Sequence, residues 1–138
     1  MKILADSCIW SLLLRRKDKS ALSGDEKQMV MSLRNAIQDG RVAIIGPIRQ
    51  EVLSGIKETA QFEKLRSALE AFPDEPIRTS HYEDAARWFN LCRSRSVECG
   101  AIDILVCAVA SKERWGILTT DSCLKRCIGI LQSQGLLR

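Results

Sequence analysis

Four acidic residues stand where an α/β fold would bring them together: Asp6, Glu51, Asp103 and Asp121. Asp6 follows the apolar run 3–5 and Asp121 follows the run 117–120, so each ends a predicted strand at the edge where open α/β sheets bind ligands. The other two acids lie in apolar helical stretches, where a carboxylate has no packing role. Because converging carboxylates raise one another's pKa unless a cation neutralises them, the pattern predicts a divalent metal site.

Each of these acids also has an ordinary structural interpretation. Asp6, Asp103 and Asp121 are all suited to cap a following helix, and Glu51 can simply face solvent. The metal hypothesis is favoured by the conjunction of all four residues in one chain.

The elements that must position these side chains alternate between strands and helices. Strands are expected at residues 2–5, 42–45 and 117–120, with shorter ones at 77–79 and 136–137. Helices fill the intervals, and one of them has Ser23 as its N-cap and Gly40 after its end. Ser80 is expected to cap a later helix. This order predicts a single α/β domain over residues 1–138, with a mainly parallel central sheet and helices on both faces.

The composition is ordinary for a soluble globular protein, with 46% hydrophobic and 28% charged residues. No apolar run approaches the roughly 18 residues that a membrane span needs. The first residues lack the apolar core and cleavage site of a signal peptide. We therefore expect a cytoplasmic protein without a membrane partner.

The six cysteines and the single histidine are interpreted as structural residues. No C-x-x-C pair occurs, and the closest spacings are Cys123/Cys127 and Cys92/Cys99. Thiols on apolar helical faces pack as small hydrophobes, which is the interpretation for Cys8, Cys92 and Cys107. With so few ligands of zinc type, free thiols are expected rather than a zinc site.

Several other reaction classes are disfavoured by missing motifs. Phosphate-binding glycine loops and the G-x-S-x-G elbow are absent from the sequence. Ser7 after Asp6 does not fit a receiver domain, and Cys8 does not fit the Asp-x-Asp motif of haloacid-dehalogenase-type phosphatases. His81 is the one histidine and lies beside a predicted helix cap, which disfavours Ser–His–Asp chemistry.

The formal net charge of +4 is modest, but the basic residues are clustered. The clusters lie at 15–19, 93–95, 112–114 and 125–126. A basic surface around an acidic pocket suits a polyanionic substrate that has to reach a metal. The alternative is that these residues are solvated helix ends, where cations complement the helix dipole.

Four segments resemble the PIN-domain family in order and spacing: Asp6-Ser7 with Trp10, residues 47–55, residues 103–110 and residues 118–121. Within that family, the compact single-domain form resembles the VapC toxins of bacterial toxin–antitoxin pairs. The resemblance spans residues 2 to about 124. It implies a three-layer α/β/α domain that acts as an Mg²⁺- or Mn²⁺-dependent endoribonuclease.

The resemblance also implies roles for individual residues. The catalytic quartet maps onto Asp6, Glu51, Asp103 and Asp121. The first, third and fourth are the expected metal ligands, and Glu51 would ligate the ion through water or help to orient the nucleophile. Ser7 and Thr119 fall on the family's supporting hydroxyl positions. Cys123 stands where many members carry a further acid, and Leu124 stands in the usual aromatic place, so the number of metal ions is left open.

The expected partners follow from the same resemblance. They are an RNA substrate, steered by basic residues such as Arg49, a cognate antitoxin protein and a second copy of the chain. Apolar residues beyond the needs of one core would supply the homodimer contact: Trp10, Leu13 and Leu14. Three alternatives remain: a catalytically silent PIN-like RNA-binding or regulatory module, a pure interaction module, and a nuclease of the same fold that acts on DNA.

Overall fold

The chain is built around a short parallel sheet of three strands: β1 (Ile3–Ala5), β2 (Val42–Ala43) and β3 (Gly116–Leu118). β1 is the central strand and pairs in parallel with both neighbours, which gives the order β2-β1-β3. Ile3 lies opposite Val42 on one side and opposite Gly116 on the other. The predicted α/β class with a parallel sheet is confirmed.

The computed structural model describes residues 1–15 and 19–138, with only the backbone of Lys19. Part of the predicted basic cluster at 15–19, including Arg16 and Lys17, therefore lies outside the described residues. Arg15 is exposed at the end of the first helix.

The second strand is shorter than the predicted run 42–45. Ile44 continues it only as an isolated parallel bridge to Asp74, and the Glu75 N–H donates to the Ile44 carbonyl at 2.8 Å. Ile44 is nevertheless fully packed in the core, at 1% exposure. The apolar run thus reflects burial rather than a regular strand over its whole length.

Three other strand predictions need correction. The predicted strand at 77–79 does not form, because the extended segment that reaches the sheet lies at Asp74 and a helix already begins at Thr79. The third strand ends at Leu118, so the last two residues of the predicted run 117–120 turn towards the next helix. Residues 136–137 are not a strand, and they follow the last helix as irregular chain.

Seven α-helices are present in the described part of the chain: α1 (Ser7–Leu14), α2 (Gly24–Gln38), α3 (Gly46–Leu53), α4 (Thr59–Leu69), α5 (Thr79–Ser94), α6 (Ala101–Glu113) and α7 (Ser122–Ser133). A short 3-10 turn at Lys19–Ala21 precedes α2. None of the described helices has the length and apolar character required to cross a bilayer.

The helix boundaries follow local capping chemistry in most places. Ser23 and Glu26 form a reciprocal capping box at the start of α2, as the sequence predicts for Ser23, and Gly40 after its end takes a φ of +67°. The prediction that Ser80 caps the next long helix is wrong. α5 begins at Thr79, so Ser80 lies inside the helix and the N-cap is Arg78. The N–H of Arg78 donates to Nδ1 of His81 at 2.9 Å.

Helix α6 forms the centre of the core. Seven consecutive residues, 104–110, are buried, and α6 packs most extensively against α5. A helix buried on all sides leaves its polar residues at its ends, where they can meet solvent or a ligand. Asp103 lies in the first turn of α6, at the end of this buried stretch.

Candidate metal centre

The parallel pairing of β1 and β3 brings two acids to one edge of the sheet. Asp6 directly follows β1, and its N–H donates to the Leu118 carbonyl at the end of β3, at 2.9 Å. Asp121 lies three residues beyond that carbonyl. Since parallel neighbours end at the same edge, both acids belong to the carboxyl edge of the sheet.

Asp6 is held by hydrogen bonds to both of its carboxylate oxygens. Oδ1 accepts from the Ser7 N–H at 2.8 Å, and Oδ2 accepts from the Thr119 hydroxyl at 3.0 Å. The side chain is only 4% exposed. Ser7 therefore contributes its main-chain N–H here, whereas Thr119 contributes a hydroxyl.

Thr119 connects the two strand-end acids. Its Oγ1 donates to Asp6 and accepts from the Asp121 N–H at 3.0 Å, so one buried hydroxyl sets the separation between the two residues. Asp121 in turn caps α7, because its Oδ1 accepts from the Leu124 N–H at 2.8 Å. The capping interpretation of both aspartates is thus correct, and it coexists with their convergence.

Asp103 shows the electrostatic cost of this convergence. Burial, together with the negative charges of Asp6, Asp121 and Glu51, raises the pKa of its carboxyl to about 6, against a smaller lowering by a hydrogen bond from the Gly100 backbone. Asp103 therefore experiences the charges of the other three predicted acids. Such repulsion favours a bound cation.

Glu51 carries an oxygen without a partner. It lies on α3, and its Oε1 is buried with no hydrogen-bond partner among the described residues. Leaving a buried acceptor unsatisfied costs roughly 1–3 kcal/mol, and more when the group is charged. An unpaired carboxylate oxygen beside three further acids is what a hard cation or its bound water would satisfy.

The four carboxylates are near one another without being in contact. Among the described residues, the one set of three histidine, cysteine or acidic ligand atoms that all lie within 4.8 Å is formed by sulfurs, those of Cys99, Cys123 and Cys127. Repulsion between like charges opposes a closer approach of the acids. Their oxygen chemistry nevertheless fits Mg²⁺ or Mn²⁺, which prefer carboxylate and water ligands.

Three helices begin at this site. Asp6 caps α1, Asp121 caps α7, and Asp103 lies in the first turn of α6. The positive end of a helix dipole stabilises a nearby carboxylate, and it also favours an incoming phosphate. The same three helix starts therefore offset part of the repulsion between the acids.

Cys8 is a member of this site that the sequence analysis missed. Its Sγ lies 3.5 Å from Asp6 Oδ2 and 3.6 Å from the Thr120 hydroxyl. We expected Cys8 on an apolar helical face, but it is half-buried beside the acids. Its position two residues after Asp6, in the first turn of α1, was the available signal.

Arg49 does not have the role assigned to it from the sequence. Its guanidinium donates to Asp74 Oδ1 at 2.8 Å, to the Leu69 carbonyl at 3.0 Å and to the Phe72 carbonyl. These contacts tie α3 to the end of α4. Arg49 is therefore engaged in holding the fold, which leaves the steering of a substrate to other basic residues.

The expectation of six free thiols is also wrong. Cys99 and Cys127 lie at disulfide-bonding distance, while Cys8, Cys92, Cys107 and Cys123 are free. The pair is separated by 28 residues in sequence, so no short cysteine spacing predicts it. The contact arises because α6 and α7 begin side by side.

His81 is a structural residue remote from the acids. It is fully buried on α5, and its Nε2 lies 3.4 Å from Glu113 at the far end of α6. Asp103 is ten residues earlier on the same helix, which at about 1.5 Å per residue is a distance of roughly 15 Å. This placement agrees with the exclusion of Ser–His–Asp chemistry.

Two cavities of the described structure lie away from the acids. One, of about 640 Å³, is next to Trp115 and the end of the chain, and the other, of about 540 Å³, lies between α1 and α4. Neither is lined by a member of the acidic quartet.

No protein-family model and no curated protein matches this chain.

Proposed function

We propose that this chain is a metal-dependent endoribonuclease with a three-layer PIN-like domain, and that it serves as the toxin of a VapC-type toxin–antitoxin pair. The observation that carries the proposal is the environment of Asp103. Its carboxyl is partly buried with a pKa of about 6, and it experiences the charges of Asp6, Asp121 and Glu51. Four coupled acids at the carboxyl edge of a parallel sheet are typical of a site for hard cations.

The residues would divide the work of metal binding. Asp6, Asp103 and Asp121 would hold Mg²⁺ or Mn²⁺ through oxygen, and Thr119 would keep Asp6 and Asp121 at a fixed separation. When bound, such an ion supplies a Lewis acid that polarises the phosphoryl group and lowers the pKa of bound water.

Glu51 is the residue best suited to accept a proton. Its Oε1 has no hydrogen-bond partner among the described residues, so it can hydrogen-bond an attacking water and receive the water's proton. Attack on phosphorus with cleavage of the bond to the 3′ oxygen would leave a 5′-phosphate and a 3′-hydroxyl. The chain's own contribution is to hold the acceptor oxygen in place, on a rigid helix.

RNA as the substrate is supported by the charge around the site. Lys125 and Arg126 follow Asp121 within the first two turns of α7, and both are exposed. Three helix N-termini at the acids add further positive potential for phosphate groups. A net charge of +4 around an acidic centre is suited to drawing in a polyanion that the acids alone would repel.

Support for a homodimer is weaker in the structure than in the sequence. Trp10 was expected to help form a homodimer surface, but it is fully buried and packs against Phe72 with ring centroids 5.2 Å apart. Leu13 and Leu14 are half-buried. A homodimer and a cognate antitoxin remain part of the proposal on the strength of the PIN-like resemblance.

The test compares wild-type protein with Asp103→Asn on a mixed RNA pool and on single-stranded DNA, with Mg²⁺, Mn²⁺ or EDTA. Asp84→Asn is the matched control, because Asp84 makes only a surface pair with Arg87 on α5. Circular dichroism verifies that all three proteins are folded. We expect cleavage of RNA by the wild type and by the control, lost with EDTA and with Asp103→Asn.

Two results would contradict the proposal. Equal cleavage by Asp103→Asn and wild type would remove the acids from the reaction. Preferential cleavage of DNA would keep the site but change its substrate.

A catalytically silent PIN-like RNA-binding module is the second candidate, and one observation favours it. Cys123 stands at the position of an acid in the related toxins, and its Sγ lies 3.2 Å from Cys99 Sγ, among sulfurs instead of carboxylates. RNA binding with no metal-dependent cleavage in the same assay would support this alternative.

A further inference from the structure

A second cluster of ligand atoms lies where α6 and α7 begin. The sulfurs of Cys99, Cys123 and Cys127 all lie within 4.8 Å of one another, and we call these three residues the sulfur cluster. Cys99 and Cys127 are buried, and Cys123 is half-buried with its Sγ at 3.2 Å from that of Cys99. The proposed nuclease chemistry uses none of them.

A disulfide accounts for only part of this arrangement. It would join Cys99 to Cys127 and leave Cys123 outside the bond, with its sulfur 3.2 Å from that of Cys99 and 3.2 Å from the Glu98 carbonyl oxygen, to which the thiol donates. The Cα atoms of the pair are 7.1 Å apart, whereas disulfides usually span no more than about 6.8 Å between Cα atoms. A tetrahedral ion at about 2.3 Å from each sulfur instead holds the sulfurs roughly 3.8 Å apart and accommodates more widely separated backbones.

The surroundings favour thiolates. Cys123 is the second residue of α7, and Cys99 directly precedes Gly100, the N-cap of α6. The positive ends of two helix dipoles therefore lie at the cluster, where they stabilise negative charge on sulfur ligands. Cys123 and Cys127 are four residues apart on one helix, so both project from the same face.

We propose that the sulfur cluster is a binding site for one soft d10 cation, Zn²⁺ being the test case, with Cys99, Cys123 and Cys127 as thiolate ligands. The fourth position of the tetrahedron is left to a solvent molecule. Thiolates select such ions over Mg²⁺ and Mn²⁺, which prefer oxygen, so this site and the acidic quartet would not compete for the same metal. The ion would fasten the start of α6 to the start of α7.

The experiment uses the full chain, reduced with a phosphine under anaerobic conditions and titrated with Co²⁺, whose thiolate complexes absorb in the near ultraviolet. We expect a charge-transfer band that saturates at one ion per chain and disappears when Zn²⁺ is added. Cys123→Ser removes one ligand from a half-exposed position and is expected to weaken Zn²⁺ binding by at least about tenfold, as loss of even outer-shell partners does.

Two control variants separate this site from its neighbours. Cys92→Ala removes a buried thiol on α5 that lies near the cluster but outside the 4.8 Å set, and it should keep the band. Asp103→Asn should also keep the band, so the result does not depend on the nuclease proposal.

The proposal is overturned by any of three results. They are the absence of a saturable charge-transfer band in the reduced wild type, unchanged Zn²⁺ affinity in Cys123→Ser, and loss of the band in Cys92→Ala while Cys123→Ser keeps it. If Cys123→Ser proves unfolded by circular dichroism, Cys127→Ser and the wild-type titration still decide the question.

Discussion

The acidic quartet and the sulfur cluster arise from the same two helices but have opposite electrostatics. Asp103 and Asp121 belong to the starts of α6 and α7, and so do Cys99 and Cys123. The charges of Asp6, Asp121 and Glu51 help to raise the pKa of Asp103, whereas the three sulfurs of the cluster all lie within 4.8 Å of one another. Neighbouring helix starts can therefore serve oxygen and sulfur chemistry side by side, with ion selectivity set by ligand type.

The sulfur cluster has a half-buried member, Cys123, whereas Cys107 is a buried thiol outside the cluster. Alkylation of the reduced protein tests whether the two differ in reactivity. Burial raises the pKa of Cys107 to about 12 from 9.0, which lowers its thiolate fraction roughly a thousandfold. We expect iodoacetamide to label Cys123 rapidly and Cys107 only after unfolding, as measured by peptide mass spectrometry. Equal labelling of both in the folded chain would show that burial does not separate the two groups of cysteine.

The importance of the unpaired oxygen is tested by Glu51→Gln. The amide keeps the shape but removes the charge and the proton acceptor, so cleavage should fall by at least about 100-fold, beyond the loss seen for outer-shell partners. Glu58→Gln is the control, since Glu58 is exposed and makes no capping hydrogen bond. Single-turnover rates at saturating Mg²⁺ measure the effect, and an unchanged rate would exclude Glu51 from the reaction.

The hydroxyl that joins two acids gives a smaller effect. Thr119→Val removes the hydrogen bonds to Asp6 Oδ2 and from the Asp121 N–H, and Mg²⁺ affinity should fall roughly 10- to 100-fold. Thr120→Val makes the same change one residue later, where the hydroxyl contacts only Cys8 among the residues of the site. Calorimetric titration of both variants measures the difference. Equal losses would mean that local packing, and not the Thr119 bridge, is responsible.

The smallest expected effect concerns stability and pH. Asp103 binds its proton more tightly in the folded chain, with a pKa of about 6, than in the unfolded chain, with 3.8. This stabilising contribution is complete below the unfolded pKa, and it is lost as the pH rises through about 6. After a discount for solvent screening, the ionised Asp103 carboxylate lowers the free energy of unfolding by about 2 kcal/mol when no metal is bound. Asp103→Asn should restore this stability at neutral pH.

Chemical denaturation in EDTA across this pH range measures the Asp103 contribution. The advantage of Asp103→Asn should vanish in acid and grow towards neutral pH. Added Mg²⁺ should stabilise the wild type and not the variant. A variant that is less stable than the wild type at neutral pH would contradict the repulsion inferred for the quartet.

The strand-end acids were predictable because their placement follows from local patterns. Apolar runs before Asp6 and Asp121 predict strands, and the parallel order of an α/β chain then places both at one edge. Secondary structure at the start of α2 and around Asp103 could likewise be inferred from capping residues and apolar periodicity. Strand lengths could not be inferred in the same way, because Ile44 is buried without continuing the hydrogen-bond ladder of β2.

The missed features all depend on distant contacts. Arg49 meets carbonyls at the end of α4, and Cys99 meets Cys127 across two helix starts. Neither contact produces a periodic pattern in the sequence. Cys8 was missed because its apolar neighbours suggested packing, while its sulfur turns towards Asp6. Side-chain partners of this kind are determined by tertiary packing, which no local propensity encodes.

The central position of β1 has a consequence for biosynthesis. Ile3 of β1 pairs with Gly116 of β3, so the sheet is incomplete until Gly116 has been synthesised. At about 5–20 residues per second, a ribosome needs on the order of ten seconds to make the chain between them. Until then Asp6 has neither Thr119 nor Asp121 beside it. A nascent chain therefore lacks the complete acidic site until Asp121 has been made, and any activity of that site has to follow that point.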